Sequence, residues 1–117
     1  MCEVYDIEQD FWEQINIKPN NSWIPCDLAM CYQISNQAIL IFGGFDRQNR
    51  TNATFVFNTN NKTIERSGDL PTVGSFSTMV FQIDDCLYTV GWNNTKKNLY
   101  KYNISDSYWK LDDDFTI

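Results

Sequence analysis

The stretch Ile39-Leu40-Ile41-Phe42-Gly43-Gly44 is a short apolar run that ends in paired glycines. A second run of this kind, Leu87-Tyr88-Thr89-Val90-Gly91, follows it, and Gly43 and Gly91 are 48 residues apart. Short apolar runs bounded by turn residues are typical of buried β-strands. Self-similarity at a period of about 20 to 50 residues indicates an architecture built from repeated units. The sequence therefore predicts a repeated unit made of strands.

A second pattern recurs downstream of these runs. A large apolar residue follows six positions after an Asp or Asn in three places, namely Val4-Tyr5-Asp6 with Trp12, Val56-Phe57-Asn58 with Ile64, and Lys101-Tyr102-Asn103 with Trp109. The same step in all three copies indicates one hairpin used three times.

Alternation and turn residues predict four strands in each unit. The first unit has predicted strands at 28–34, 38–42, 53–58 and 62–66, and the second at 75–83, 86–91, 97–103 and 107–111. Predicted strands at 3–6 and 11–15 form the second half of a preceding unit, and no window shows a sustained helical period. We therefore expect a half unit over 1–15 and complete units over 26–66 and 75–112.

In these residues the chain resembles the kelch repeat family, whose repeat has a strand ending in paired glycines, then a Tyr, then a Trp six or seven positions later. The resemblance extends over nearly the whole chain and implies an all-β fold, a partial kelch-type β-propeller of four-stranded antiparallel blades. It implies that glycines lie where inner strands crowd and that large rings fill the wedge between blades. The positions concerned are Gly43, Gly44, Gly91, Tyr5, Trp12, Phe57, Tyr102 and Trp109.

The chain departs from the family pattern in two of its copies. Trp92 stands in place of the second glycine, Ile64 in place of the aromatic residue, and no Arg begins either opening strand. These departures bear on the number and regularity of the blades. The alternative fold is a small β-sandwich in which the repeat arose by chance.

Composition excludes several classes of partner. The chain has 117 residues, 43% of them hydrophobic and 15% aromatic, which suffices for one ordinary core. The net charge of −6 disfavours nucleic acid and anionic membrane surfaces. No apolar stretch approaches the roughly 20 residues of a membrane span. We expect a cytoplasmic protein that binds neither nucleic acid nor membrane.

Asparagine is placed so that six N-x-[ST] triplets occur, beginning at Asn20, Asn49, Asn52, Asn61, Asn93 and Asn103. All lie in or beside predicted turns, where Asn, Ser and Thr collect for backbone reasons. Turn formation therefore explains these triplets better than extracellular glycosylation does.

The cysteines predict no cross-link and no metal site. Cys2, Cys26, Cys31 and Cys86 have irregular spacing, and the chain has no histidine. Zinc requires four convergent ligands, and only Cys26 and Cys31 form a close pair. We expect free buried thiols, no bound metal and no cofactor.

No catalytic motif is present. The chain lacks a nucleophile elbow, a phosphate-binding loop and a dinucleotide fingerprint. The acidic runs 84–85 and 112–114 have no calcium-loop spacing, and adjacent strand residues point to opposite faces, so both runs are predicted to be solvated turns. We expect no enzymatic activity.

The family resemblance implies a peptide-binding face made by the loops between second and third strands, here 45–50 and 92–95, and by the loops between blades, here 16–25 and 67–74. Arg47 and Arg50 are suited to an acidic motif, and Trp23 and Trp92 to anchoring. The candidate binding residues are Phe45, Asp46, Arg47, Arg50, Trp92 and Asn93.

These observations predict a non-catalytic protein-interaction module, a propeller segment that acts as a scaffold or substrate-recognition surface. The alternative is part of the propeller domain of an enzyme, of the oxidase or sugar-epimerase type, whose catalytic residues lie outside this chain. Two full units and a half do not close a ring, since propellers have four to eight blades. The remaining blades are expected from a longer chain, which the sequence favours, or from self-association.

Overall fold

We describe the fold from a computed structural model, which describes residues 2–16, 18–19, 27–46, 49–73, 75–93 and 96–112. These residues contain strands and turns and no helix, so the predicted all-β class is confirmed. No helix in this part of the chain could serve as a membrane span.

The strands, in chain order, are β1 Cys2–Asp6, β2 Phe11–Ile15, β3 Lys18–Pro19, β4 Met30–Ser35, β5 Ala38–Phe42, β6 Phe45–Asp46, β7 Asn49–Arg50, β8 Thr54–Asn58, β9 Thr63–Arg66, β10 Ser75–Ile83, β11 Cys86–Asn93, β12 Lys96–Asn103 and β13 Tyr108–Leu111. Every strand predicted from the sequence is present, with each end within two residues of its expected position. The short strands β3, β6 and β7 were not predicted.

Two four-stranded antiparallel meanders form the centre of the fold. The first has the order β9-β8-β5-β4 and gains β3 as a parallel neighbour of β9, while the second has the order β10-β11-β12-β13. The strands β1 and β2 form a separate antiparallel hairpin, and β6 and β7 form another. The first meander lies within residues 26–66 and the second within 75–112.

Two hydrophobic cores separate three layers. Side chains alternate across a strand, so Leu40 and Phe42 of β5 enter one core while Ile39 and Ile41 pack against the other. The first core lies between the two meanders and contains Leu87, Tyr100, Tyr102 and Trp109 from the second sheet. The second core joins Ile15 of β2 to Phe55, Phe57 and Ile64 of the first meander. The first meander therefore lies between the second meander and the β1–β2 hairpin, which contributes Ile15 to the second core while Val4 and Phe11 on the same face are exposed.

The three hairpins that carry the repeated pattern share one register. Tyr5 pairs with Trp12, Phe57 with Ile64, and Tyr102 with Trp109. The last turn residue of each has a left-handed backbone, with φ of 52° at Asp10, 58° at Lys62 and 58° at Ser107. Lys62 and Ser107, which were predicted to begin strands, are thus turn residues, because the left-handed conformation is needed to return the chain into the next strand.

The Asp or Asn of each pattern caps its turn. The side-chain oxygen of Asn58 accepts hydrogen bonds from the backbone N–H of Asn60 at 2.9 Å and Asn61 at 3.2 Å. Asn103 accepts one from Asp106 at 3.0 Å, and Asp6 one from Gln9 at 3.1 Å. These are local side-chain to backbone turns, for which Asp and Asn are the suited residues.

Replacing Asn58 with alanine is expected to lower the free energy of unfolding by about 1 kcal/mol, because one acceptor is lost for two turn donors. Asn58→Asp keeps the acceptor and is expected to lower it less. Urea unfolding followed by circular dichroism measures both. Asn60→Ala is the matched control, since only the backbone of Asn60 takes part in the cap, and an equal loss in that variant would contradict the capping role.

Candidate binding surface

The connection between β5 and β8 is tied to the chain that precedes the first meander. Gly43 and Gly44 both have left-handed backbones, with φ of 70° and 87°. The Phe45 N–H donates to the Asp27 carbonyl at 2.9 Å, and the Asp27 N–H donates back at 3.0 Å. A Cβ on Gly44 would lie 2.5 Å from the Asp27 carbonyl oxygen and 2.8 Å from the Ala29 nitrogen. Glycine is therefore required at 44 by conformation and by close backbone approach.

This connection contains a small hairpin at the position of the loop predicted at 45–50. Phe45 pairs with Arg50 and Asp46 with Asn49. The Arg50 guanidinium carbon lies 5.8 Å from the centre of the Phe45 ring, within the range of a cation–π contact, and Asn49 and Arg50 are exposed. Three of the four candidate residues on this connection thus belong to paired backbone, while Arg47 lies outside the described residues.

The connection between β11 and β12 also contains paired strand residues where the sequence predicts a loop. Trp92 and Asn93, predicted to begin a loop, are the last residues of β11 and pair with Lys97 and Lys96. The Lys97 ammonium lies 4.6 Å from the centre of the Trp92 ring, and Trp92 is 40% exposed. Cross-strand pairing extends the strands past Gly91, because tryptophan and lysine contact each other across the ladder. Asn94 and Thr95 lie outside the described residues.

Residues 67–73 of the link between the two meanders are largely occupied by internal contacts. Leu70 is buried in the core, and its N–H donates to the Asn52 carbonyl at 2.8 Å. The Ser67 hydroxyl lies 2.7 Å from the Tyr102 hydroxyl, and the Thr72 hydroxyl lies 2.7 Å from that of Tyr100. This link therefore joins the sheets at these positions. Of the other predicted loop, 18–19 form β3, and Trp23 and the rest of 20–25 lie outside the described residues.

The repeat positions of the second meander are buried between sheets. Trp109 is 5% exposed, and its indole N–H donates to the buried Thr54 hydroxyl at 2.9 Å. Its ring centre lies 4.9 Å from that of Phe42 and 5.0 Å from that of Tyr102. Gly91 is also buried and pairs with Phe76 and Asn98.

Tyr5 and Trp12 have the same mutual geometry in a different environment. Their ring centres are 5.0 Å apart, as in the pair Tyr102 and Trp109, but Tyr5 is 40% and Trp12 65% exposed. The Tyr5 hydroxyl donates to the Asp10 carboxylate, and this hydrogen bond raises the pKa of Tyr5 above 10.0. No sheet among the described residues covers Trp12, and its expected wedge-filling role stays a prediction.

Other chemistry is limited in the described residues. They contain no cluster of three or more side chains able to hold a metal ion. Cys31 is exposed and Cys86 half-buried, both as free thiols, so the expected burial of these two cysteines is wrong because both lie near sheet surfaces. Asp84 and Asp85 lie in a turn, as predicted, and the Asp85 carboxylate accepts from Ser105.

Sequence reasoning missed two surface lysines. Lys97 contacts Trp92, and the Lys101 ammonium lies 5.9 Å from the centre of the Tyr88 ring. Cross-strand register decides these contacts, and register is not evident from composition.

No known protein family matches this chain when its sequence is compared with family models, and a search of curated proteins likewise finds no match.

Proposed function

We propose that this chain is a segment of a kelch-type β-propeller that binds a protein partner in the cytoplasm and has no catalytic activity. Two four-stranded meanders packed face to face, together with the hairpin that recurs three times, support the propeller assignment, since propeller blades are four-stranded meanders packed in this way. The function we assign is that of a scaffold or substrate-recognition module.

The observation that carries the binding role is the pair of cation–aromatic contacts at equivalent ends of the two meanders. Arg50 over Phe45 marks the end of β5–β8, and Lys97 over Trp92 marks the end of β11–β12. Tryptophan and arginine are the residues enriched in binding hot spots. Both sites combine a positive charge with an apolar ring, so a peptide with a carboxylate next to an apolar side chain would satisfy both groups.

The proposal is tested by selecting peptides from a random display library on the purified chain. We expect enrichment of peptides that contain Asp or Glu beside an apolar residue. Trp92→Ala and Arg50→Ala are each expected to weaken the selected peptides about tenfold in calorimetry, since a hot-spot residue contributes more than about 1.4 kcal/mol.

Lys62→Ala is the matched control, because it removes a positive charge from a turn at the opposite end of the first meander. Selected peptides without carboxylates, or affinities unchanged in both rim variants, would contradict the proposal.

A further inference from the structure

The outer face of the second meander carries aromatic side chains and positive charge. Phe81, Ile83 and Tyr108 on this face are 37%, 55% and 49% exposed, and the rings of Phe81 and Tyr88 stack with centres 5.3 Å apart. The register places Lys97, Lys101 and Lys110 on the same face, and alternation also places Asp112, just after β13, at its edge beside Leu99. We call these residues the lysine face.

The β1–β2 hairpin, at the other end of the stack, has the opposite charge. Residues 2–16 include no Lys or Arg and five acidic residues, namely Glu3, Asp6, Glu8, Asp10 and Glu13. Ile15 points into the second core, so the alternating register directs Tyr5 and Trp12 away from it, together with Glu3. We call Glu3, Tyr5, Asp10 and Trp12 the acidic face.

The interior of the molecule already contains a contact of this type. Leu40 and Phe42 of the first meander pack against Tyr102 and Trp109 of the second. By register, Tyr88 and Val90 of the lysine face correspond to Leu40 and Phe42. Tyr5 and Trp12 correspond to Tyr102 and Trp109, with the same ring separation of 5.0 Å. The lysine face thus corresponds to the face of the first meander that contacts the second, and the acidic face corresponds to the face of the second meander that contacts the first. The two outer faces are therefore suited to pack against each other.

The two outer faces differ in charge from the interface between the two meanders. Lys101 occupies the position that Val56 has in the first meander. An apolar blade would leave this lysine unpaired on packing, whereas the acidic face supplies carboxylates beside its aromatic pair. The surface therefore fits an acidic, aromatic partner better than a wholly apolar one.

We propose that the lysine face docks on the acidic face of a second copy of this chain, head to tail. The two faces lie at opposite ends of the stack, so the contact is heterologous and generates either a ring or an open array of copies. It shares Lys97 with the proposed peptide site, where this lysine contacts Trp92, but it does not use the β6–β7 hairpin. The charge reversals that test it, at Glu3 and Lys101, lie outside that site.

Sedimentation velocity of the full chain tests this inference. We expect association that rises with protein concentration and weakens at least fivefold between about 0.05 M and 1 M NaCl, because salt screens exposed charges. Glu3→Lys and Lys101→Glu are each expected to weaken association about tenfold or more, since each places like charges opposite one another.

An equimolar mixture of the two variants gives the decisive measurement. In an equimolar mixture, Lys101 of the Glu3→Lys chain meets Glu3 of the Lys101→Glu chain, and the two reversed residues also meet each other as opposite charges. Association is therefore expected to return to within about twofold of the unmodified chain. Weakening in each variant alone, followed by restoration in the mixture, shows that Glu3 and Lys101 meet each other, because a face that pairs with itself would leave one of the two variants unaffected. The contact is heterologous because the two faces lie at opposite ends of the molecule.

Glu65→Lys and Lys62→Glu are the matched controls, with the same charge changes on the first meander, and circular dichroism verifies folding of every variant. A monomer at all concentrations up to about 0.1 mM would overturn the inference and leave these faces to other blades of a longer chain. A closed dimer insensitive to Glu3→Lys, or a mixture that does not reassociate, would overturn it as well.

Discussion

Replacing Trp109 with alanine is expected to lower the free energy of unfolding by about 3–5 kcal/mol. The side chain lies between the two meanders, against Phe42 and Tyr102, and its removal leaves a cavity that the flanking sheets cannot close. It also removes the indole partner of the Thr54 hydroxyl, which is 0% exposed. Such a loss is a large part of the roughly 5–15 kcal/mol that stabilises an ordinary domain. Urea unfolding followed by far-ultraviolet circular dichroism measures the change.

Trp12→Ala is the matched control for this experiment. Trp12 holds the same register position in its hairpin, but it is 65% exposed. The expected loss in the free energy of unfolding is below about 1 kcal/mol, because the folded chain buries little of the apolar surface of this side chain. Both variants are measured at low protein concentration, where association through the acidic face does not add to stability. Equal losses in the two variants would contradict the layered packing.

Replacing Gly44 with alanine is expected to lower the free energy of unfolding by about 2–4 kcal/mol. A left-handed backbone with φ of 87° is unfavourable for alanine, and the new Cβ would meet backbone atoms at 2.5 Å and 2.8 Å. Neither neighbour is a flexible side-chain end, so the 27–29 segment must move away from the β5–β8 connection. Thermal and urea unfolding measure the loss.

Asn49→Ala, in the adjacent β6–β7 hairpin, is the control for Gly44→Ala. Asn49 is exposed and its backbone pairs with Asp46, which alanine preserves. Its expected change is within about 0.5 kcal/mol. A Gly44→Ala protein as stable as the Asn49→Ala protein would show that the paired glycines are not required by the connection.

The strands of both meanders were predictable because local properties specify them. Strands β5, β10 and β2 have the ends expected from their apolar runs and turn residues. The hairpin step from Asp or Asn to the large residue also follows from local chemistry, since the same side chain caps the turn and ends the strand.

The candidate binding residues were predicted less completely. The family resemblance, which implies binding loops at 45–50 and 92–95, selected Arg50 and Trp92, but it did not indicate that each belongs to a paired strand. Lys97 and Lys101 were not identified, because both fall in the predicted strand 97–103 and neither belongs to a motif. A lysine becomes part of a surface only when cross-strand register places it beside an aromatic ring.

The sequence by itself determined the strands of the two meanders and of the β1–β2 hairpin, the turns that join the repeated hairpins, and the repeat, because these depend on side-chain alternation and on interactions within a few residues. Only the tertiary structure decided which equivalent positions are buried and which are exposed. Trp109 and Trp12 have the same local sequence setting, yet one is covered by the first meander and the other is not. Burial depends on what packs over a sheet face, and residues distant in the chain supply that cover.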